Sequence, residues 1–177
     1  MVTGGEILSV ATETGRVCLG LVFLLAAVHK AQGWRLLSGV ISSYQLLPRW
    51  AVGSAAALLP PLELLLALSL LSAQWHPWPE LAVMALLLLF AAAMAINIWR
   101  GRTHIDCGCG QEFLAQHLSW ALVMRNLFLA VLVLPSIMAS ESVPTPAALI
   151  GIAAGIGFFL LYLLFNLLSA LPRARFA

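Results

Sequence analysis

"LAVMALLLLFAAAMAINIW", residues 81–99, decides the fold. The run holds no charged side chain and a single amide, Asn97. At about 1.5 Å of rise per residue, a helix of this length matches the hydrocarbon core of a bilayer, roughly 30 Å thick. Four further apolar runs stand beside it: Gly15 to His29, Ala51 to Leu71, Trp120 to Met138 and Ala147 to Leu171. The first is short, and the polar stretch Ser9 to Arg16 extends it as the outer turns of the same helix.

The composition agrees. Hydrophobic residues make up 62% of the 177-residue chain and charged residues 9%, against roughly 45–50% and about 25% in soluble domains. Such a chain cannot cover its surface with polar groups and must be solvated by lipid. The expected fold class is therefore all-α: a polytopic membrane helical bundle of about five transmembrane helices, forming a single integral membrane domain over residues 1–177. The N-terminal stretch lacks a basic n-region and carries Glu6 and Glu13, so the first apolar run is expected to persist as a helix and not to be cleaved as a signal. The net charge of +2, with dispersed basic residues, gives no basis for nucleic-acid binding.

The joins carry their own signals. "QWHPWPE" at 74–80 and "SESVPTP" at 140–146 read as short polar turns, with Trp75 and Trp78 suited to the membrane interface. Between the first two spans, Trp34, Leu37, Ile41 and Tyr44 recur at helical spacing while Arg35, Ser38, Ser42 and Gln45 take the other side. That pattern predicts a short interfacial amphipathic helix. Numbering the joins alternately sends Lys30, Arg35, Arg49, Arg100, Arg102, Arg125, Arg173 and Arg175 to one side, and leaves only Arg16 near the other. The bias predicts a cytoplasmic basic side, with the N-terminus outside and the C-terminus and the cysteine-bearing join inside.

The chemistry sits in "HIDCGCGQ", 104–111. A disulfide between Cys107 and Cys109 would close a small, strained ring, and strained disulfides are the exchangeable ones. Thiol–disulfide exchange is the leading reading. A soft-metal site built with His104 or His117 and plain loop composition are the alternatives, although the spacing of structural zinc sites is absent. No metal-ligand set and no cofactor is assigned. Cys18, about 18 Å from the basic side by helical rise, reads as a small packing residue.

Several polar residues fall inside the spans. Glu63 follows Pro60 and Pro61, and it reads either as a proton relay or partner of a thiol or base, or as a carboxyl bonded to backbone that the prolines free. Arg125 and Asn126, two turns into the fourth span, and Lys30 at the end of the first divide between snorkelling to the interface and a role near the cysteines. Asn97 and Asn166 are expected to bond between helices.

Four stretches taken together, "AVHK" at 27–30, "LLPPLELLL" at 58–66, "RGRTHIDCGCG" at 100–110 and "LSWALVMRN" at 118–126, resemble the methylamine-utilisation MauE family. The resemblance covers roughly the first three quarters of the chain; where many relatives read CGCFG, this chain reads CGCG. It implies an inner-membrane maturation factor for periplasmic methylamine dehydrogenase, whose disulfide-rich small subunit would be an indirect client, working with the thioredoxin-like partner MauD. It also implies Cys107 and Cys109 as the exchanging thiols, with Glu63, Lys30, Arg125 and Asn126 as recurrent polar positions. Such a protein is a thiol–disulfide exchange factor more than a classical enzyme. The rival functions are a soft-metal carrier and a non-catalytic membrane anchor for the thioredoxin-like protein. A quinone-linked disulfide oxidase is disfavoured by the single cysteine pair outside the membrane core.

Overall fold

The computed structural model describes residues 4–73, 75–105, 117–138 and 145–170. Its helices are α1 (Gly4–Gln32), α2 (Trp34–Tyr44), α3 (Arg49–Ser72), α4 (Trp78–Trp99), α5 (Trp120–Leu132), α6 (Leu134–Met138) and α7 (Thr145–Ala170). Five stretches are long and apolar enough to cross a membrane: Gly4–Gln32, Arg49–Ser72, Trp78–Trp99, Trp120–Met138 and Pro146–Leu168. The protein is an all-α, multi-pass membrane bundle, with each expected span in its expected place.

Helix α1 does continue through the polar stretch, to a length of 29 residues. The reason lies in its threonines. Thr12 and Thr14 are buried, and their hydroxyls donate to the carbonyls of Leu8 (2.8 Å) and Val10 (2.7 Å) one turn back. Hydroxyls satisfied within their own helix cross an apolar interior at little cost. The fourth span is interrupted at Val133 between α5 and α6. Pro135, which has no N–H, follows immediately and removes one rung of the helical ladder; its carbonyl lies 3.3 Å from the Thr12 hydroxyl.

The amphipathic segment forms α2. Leu37 is buried and Tyr44 packs against a core cluster of Met94, Ile105, Leu118 and Leu122, whereas Ser42 is exposed. Trp34, expected on the same apolar stripe, is 59% exposed. The helix ends at Gln45, whose φ of 50° is left-handed and whose N–H donates to the Ser42 carbonyl.

Helix α1 is the element on which the others assemble. Cys18, Leu19, Val22 and Phe23 meet Ala67 and Leu70 of α3, Val83 and Leu87 of α4, and Leu129 of α5 in one apolar cluster. Cys18 is thus the packing residue its sequence position suggests. On its other face, α1 receives Gly151 and Gly155 of α7. A Cβ at Gly151 would stand 2.5 Å from Glu13 Cβ, and one at Gly155 would stand 2.8 Å from Val17 Cβ and 2.9 Å from the Thr14 carbonyl. With lipid tails as apolar as any side chain, helices associate through such close backbone approach, and a G-x-x-x-G spacing is the pattern that permits it.

Gly155→Leu should therefore separate α7 from α1 and lower stability by about 1–3 kcal/mol, the usual range for overpacking. Gly157, two residues on, would meet nothing within 4 Å, so Gly157→Ala should leave the thermal midpoint of detergent-solubilised protein unchanged or slightly raised. Equal losses in the two variants would show that the glycine contact does not hold α7.

Candidate functional site

The polar residues singled out inside the spans converge. Lys30, in the last turn of α1, donates through Nζ to Oε1 of Glu63 on α3; Glu63 is buried and Lys30 largely so. The ammonium also lies 5.2 Å from the centre of the Phe90 ring on α4. Lys30 turns into the bundle in place of snorkelling outward, because its four-carbon stem packs against apolar neighbours while its head finds a carboxylate. Glu63 takes the ammonium as partner, which matches the reading of it as the partner of a base; that the base is Lys30 is set by the packing of α1 on α3.

Arg125 and Asn126 on α5 face the same interior. Arg125 is buried, its Nη1 donates to Oδ1 of Asn166 on α7, and its guanidinium lies 5.4 Å from the centre of the Tyr162 ring. Snorkelling does not describe it either. Asn126 is 4% exposed, with a carboxamide Nδ2 that has no hydrogen-bond partner among the described residues. Between these groups lies a pocket of about 30 Å³, lined by Lys30, Glu63, Phe90, Arg125, Asn126 and Tyr162, with apolar residues of α1, α4 and α5 completing the wall. Asn166 bonds between helices as expected, with Arg125 as its donor; Phe90 and Tyr162 were not legible as site features. Tyr162 is one of only two tyrosines, and its hydroxyl in a span otherwise of aliphatic residues, phenylalanines and Asn166 is the signal that could have pointed there. Asn97, expected to bond between helices, instead donates to the Ala93 carbonyl of its own helix at 3.0 Å.

The segment bearing the cysteine pair leaves from the end of the bundle where α1 also finishes. Its flanks are tied together: Leu118 N–H donates to the Ile105 carbonyl at 3.1 Å, and both residues are buried in the cluster formed with Ala91, Met94 and Leu122. Cys107 and Cys109 themselves lie outside the described residues. His104 and His117 sit on the exposed flanks, so His104 does not join the buried quartet of Lys30, Glu63, Arg125 and Asn126. Arg100 and Arg102 follow α4 at the same end.

A second polar cluster occupies the opposite end. Glu80, 1% exposed at the start of α4, has His76 Nδ1 at 3.3 Å and Arg16 Nε at 3.9 Å from its Oε1. The turn preceding it was read as surface, which holds for Trp75 and Trp78, both more than 70% exposed, but not for Glu80. The cluster anchors the α3–α4 turn to α1.

Removing one member of a buried ion pair leaves an uncompensated charge and typically costs about 3–5 kcal/mol, whereas replacing both by apolar groups of similar volume is far milder. Lys30→Met and Glu63→Leu should each lower the thermal midpoint strongly, and the double variant should recover most of the loss. A double variant as unstable as the sum of the singles would mean the two side chains do not act as a pair.

Comparison with known proteins bears on what this arrangement serves. No solved structure matches the chain. The family described as methylamine utilisation protein MauE matches residues 8–139. The methylamine utilization protein MauE of Paracoccus denitrificans is 40% identical over 166 residues, covering 92% of this chain and 89% of the relative. The MauE of Paracoccus versutus is 37% identical over 89% of this chain and 86% of the relative, and that of Methylophilus methylotrophus is 32% identical over 89% and 85%. The matched region takes in α1 to α6, and with them Lys30, Glu63, Arg125, Asn126 and both cysteines; this chain belongs to the MauE family of methylamine utilisation proteins.

Proposed function

We propose that this protein exchanges thiols and disulfides through Cys107 and Cys109 in the bacterial inner membrane. In this reading it supports maturation of periplasmic methylamine dehydrogenase together with the thioredoxin-like MauD, the disulfide-rich small subunit being the indirect client. The observation that carries the reading is the pinned neck between Ile105 and Leu118. It holds the two flanks of the cysteine-bearing segment together at the end of the bundle where Arg100 and Arg102 also lie, cations of the kind that favour thiolate over thiol.

The chemistry balances within the two dithiol couples. A thiolate of the partner attacks one sulfur of the oxidised Cys107–Cys109 pair, the S–S bond breaks, and the other cysteine leaves as thiolate. The partner's second thiolate then attacks the mixed disulfide. The partner emerges oxidised, the pair reduced, and two electrons have passed between them; the reverse sequence reduces the partner. Protons go to or come from solvent at the exposed flanks.

In this reading the basic end faces the cytoplasm and the N-terminus the periplasm. The pair then takes electrons from a cytoplasmic dithiol reductant, and passing them to a periplasmic partner requires the cysteine segment to move into the bundle, because exchange needs direct contact between sulfurs. The opposite orientation would present the pair to the partner directly. Labelling with a membrane-impermeant maleimide, in intact cells carrying Cys18→Ala, separates the two: on the proposed orientation, Cys107 and Cys109 react only after lysis, and labelling from outside would reverse the direction of transfer.

The test of the function itself is replacement of both cysteines. A Cys107→Ser, Cys109→Ser variant should reach the membrane at the normal level and yet abolish the assembly of active methylamine dehydrogenase in cells grown on methylamine. Full assembly with both serines in place would sink the exchange reading and leave an anchoring role.

A further inference from the structure

The cations of this protein divide by what answers their charge. Arg16 lies against Glu13 and Glu80, and Lys30 against Glu63. The side chains of Arg49, Arg100 and Arg102 make no hydrogen bond or ion pair among the described residues. All three stand at the end of the bundle that bears the cysteine segment. By the order of the spans, Asp106 and Glu112 are the only acidic residues in the sequence at that end, against Arg35, Arg49, Arg100, Arg102, Arg173 and Arg175. The end therefore carries a surplus of positive charge.

Arg100 and Arg102 are, in addition, held in one place by the backbone. Gly101 between them has a left-handed φ of 73°. Its N–H donates to the Ile98 carbonyl at 2.9 Å, and that of Arg102 to the Asn97 carbonyl at 3.0 Å. This is the closure that commonly ends a helix at glycine, and it satisfies terminal carbonyls of α4 without calling on either arginine side chain. Arg100 is exposed and Arg102 half-buried. Beside them the indole of Trp99, 77% exposed, meets that of Trp120, 48% exposed, with ring centres 6.0 Å apart. The two rings join the end of α4 to the start of α5. Indoles exposed at the end of a span sit at the depth of lipid headgroups, and a guanidinium presents paired donors that match a phosphate.

We propose that the corner between the end of α4 and the start of α5 binds the phosphate of an anionic phospholipid, held by Arg100 and Arg102, with the glycerol and upper acyl chains laid against Trp99 and Trp120. A zwitterionic headgroup brings its own cation next to its phosphate, so a site of two guanidinium groups selects for net negative charge. The indoles distinguish a lipid from a free phosphate, which has no apolar part to lay on them. The site flanks the cysteine segment but needs neither thiol, and its readout is lipid binding, so it stands or falls separately from the exchange chemistry proposed above.

The experiment titrates the full chain, purified in a neutral detergent, with phosphatidylglycerol, and with phosphatidylcholine of the same acyl chains as the reference; native mass spectrometry reads the lipid adducts. Wild type should prefer the anionic lipid by about twenty-fivefold, roughly fivefold for each arginine contact. The double variant Arg100→Gln, Arg102→Gln, which leaves the backbone closure and the core untouched, should lose that preference. Arg49→Gln, which removes a charge from the same end but from α3, should keep it. Excess inorganic phosphate should not displace the lipid. Equal affinity for the two lipids in wild type, or a preference that survives in the double variant, would overturn the proposal. Loss of the preference in Arg49→Gln as well would replace a site at this corner by diffuse charge, and displacement by inorganic phosphate would make it a site for free anions.

Discussion

The ion pair between Lys30 and Glu63 is the constraint that organises the interior. A carboxylate in the second span must find a partner, because hydrocarbon offers none and an acidic group at mid-helix costs about 2.5–3.5 kcal/mol to insert. Lys30 can supply that partner only if the end of α1 is held against the middle of α3. Gly20 makes this approach possible, since a Cβ there would stand 2.7 Å from the Leu71 side chain of α3; Gly15 does the same for α5, where a Cβ would stand 2.4 Å from the Leu132 carbonyl. Polar pairing and close packing thus require the same helix geometry, and neither would be satisfied by a bundle assembled on apolar matching alone.

From that pair the rest of the polar interior follows by position. Phe90 backs the ammonium from α4, and Arg125 enters from α5 on the far side of the pocket, where Asn166 and Tyr162 of α7 receive it. Every long helix thereby contributes at least one side chain to a shared polar centre. Helix α7, whose surface is otherwise almost wholly given to lipid, is fixed to the bundle at two levels: by Gly151 and Gly155 against α1, and by Asn166 and Tyr162 against Arg125. A helix with so little buried apolar surface needs specific contacts of this kind, because lipid competes on equal terms for its leucines.

Much of this fold was legible in the sequence, because membrane spans are set by length and hydropathy, and both are properties of a linear string. The amphipathic α2 was legible for the same reason, its period being that of a helix. What the string does not carry is azimuth across helices. Lys30, Glu63, Arg125 and Asn126 were identifiable as costly residues at plausible depths, but depth cannot say that Lys30 meets Glu63 or that Arg125 turns to α7. For Glu63 the string left a base partner and backbone freed by the tandem prolines as equal alternatives, and tertiary packing brings up the base, Lys30. Glu80 was misread for a related cause: three residues beyond Pro77 it looks like part of a surface turn, and only the position of Arg16 on a neighbouring helix makes its burial affordable. The spacing Gly151 to Gly155 was present in the sequence as G-I-A-A-G, a signal hidden by a span that otherwise shows only hydrophobicity.

The two polar clusters differ in a way that bears on how the ends of the bundle divide their work. At the end with Glu80, the partners belong to a turn and a helix that the cluster staples together, and His76, partly exposed, closes it toward the surface. At the other end, the tie between Ile105 and Leu118 is buried in an apolar cluster, while the charged groups line a pocket of their own. A staple needs no interior space, since its groups neutralise one another on contact. The pocket, by contrast, leaves a small space among Lys30, Glu63, Arg125 and Asn126, groups brought from three helices that no single turn joins.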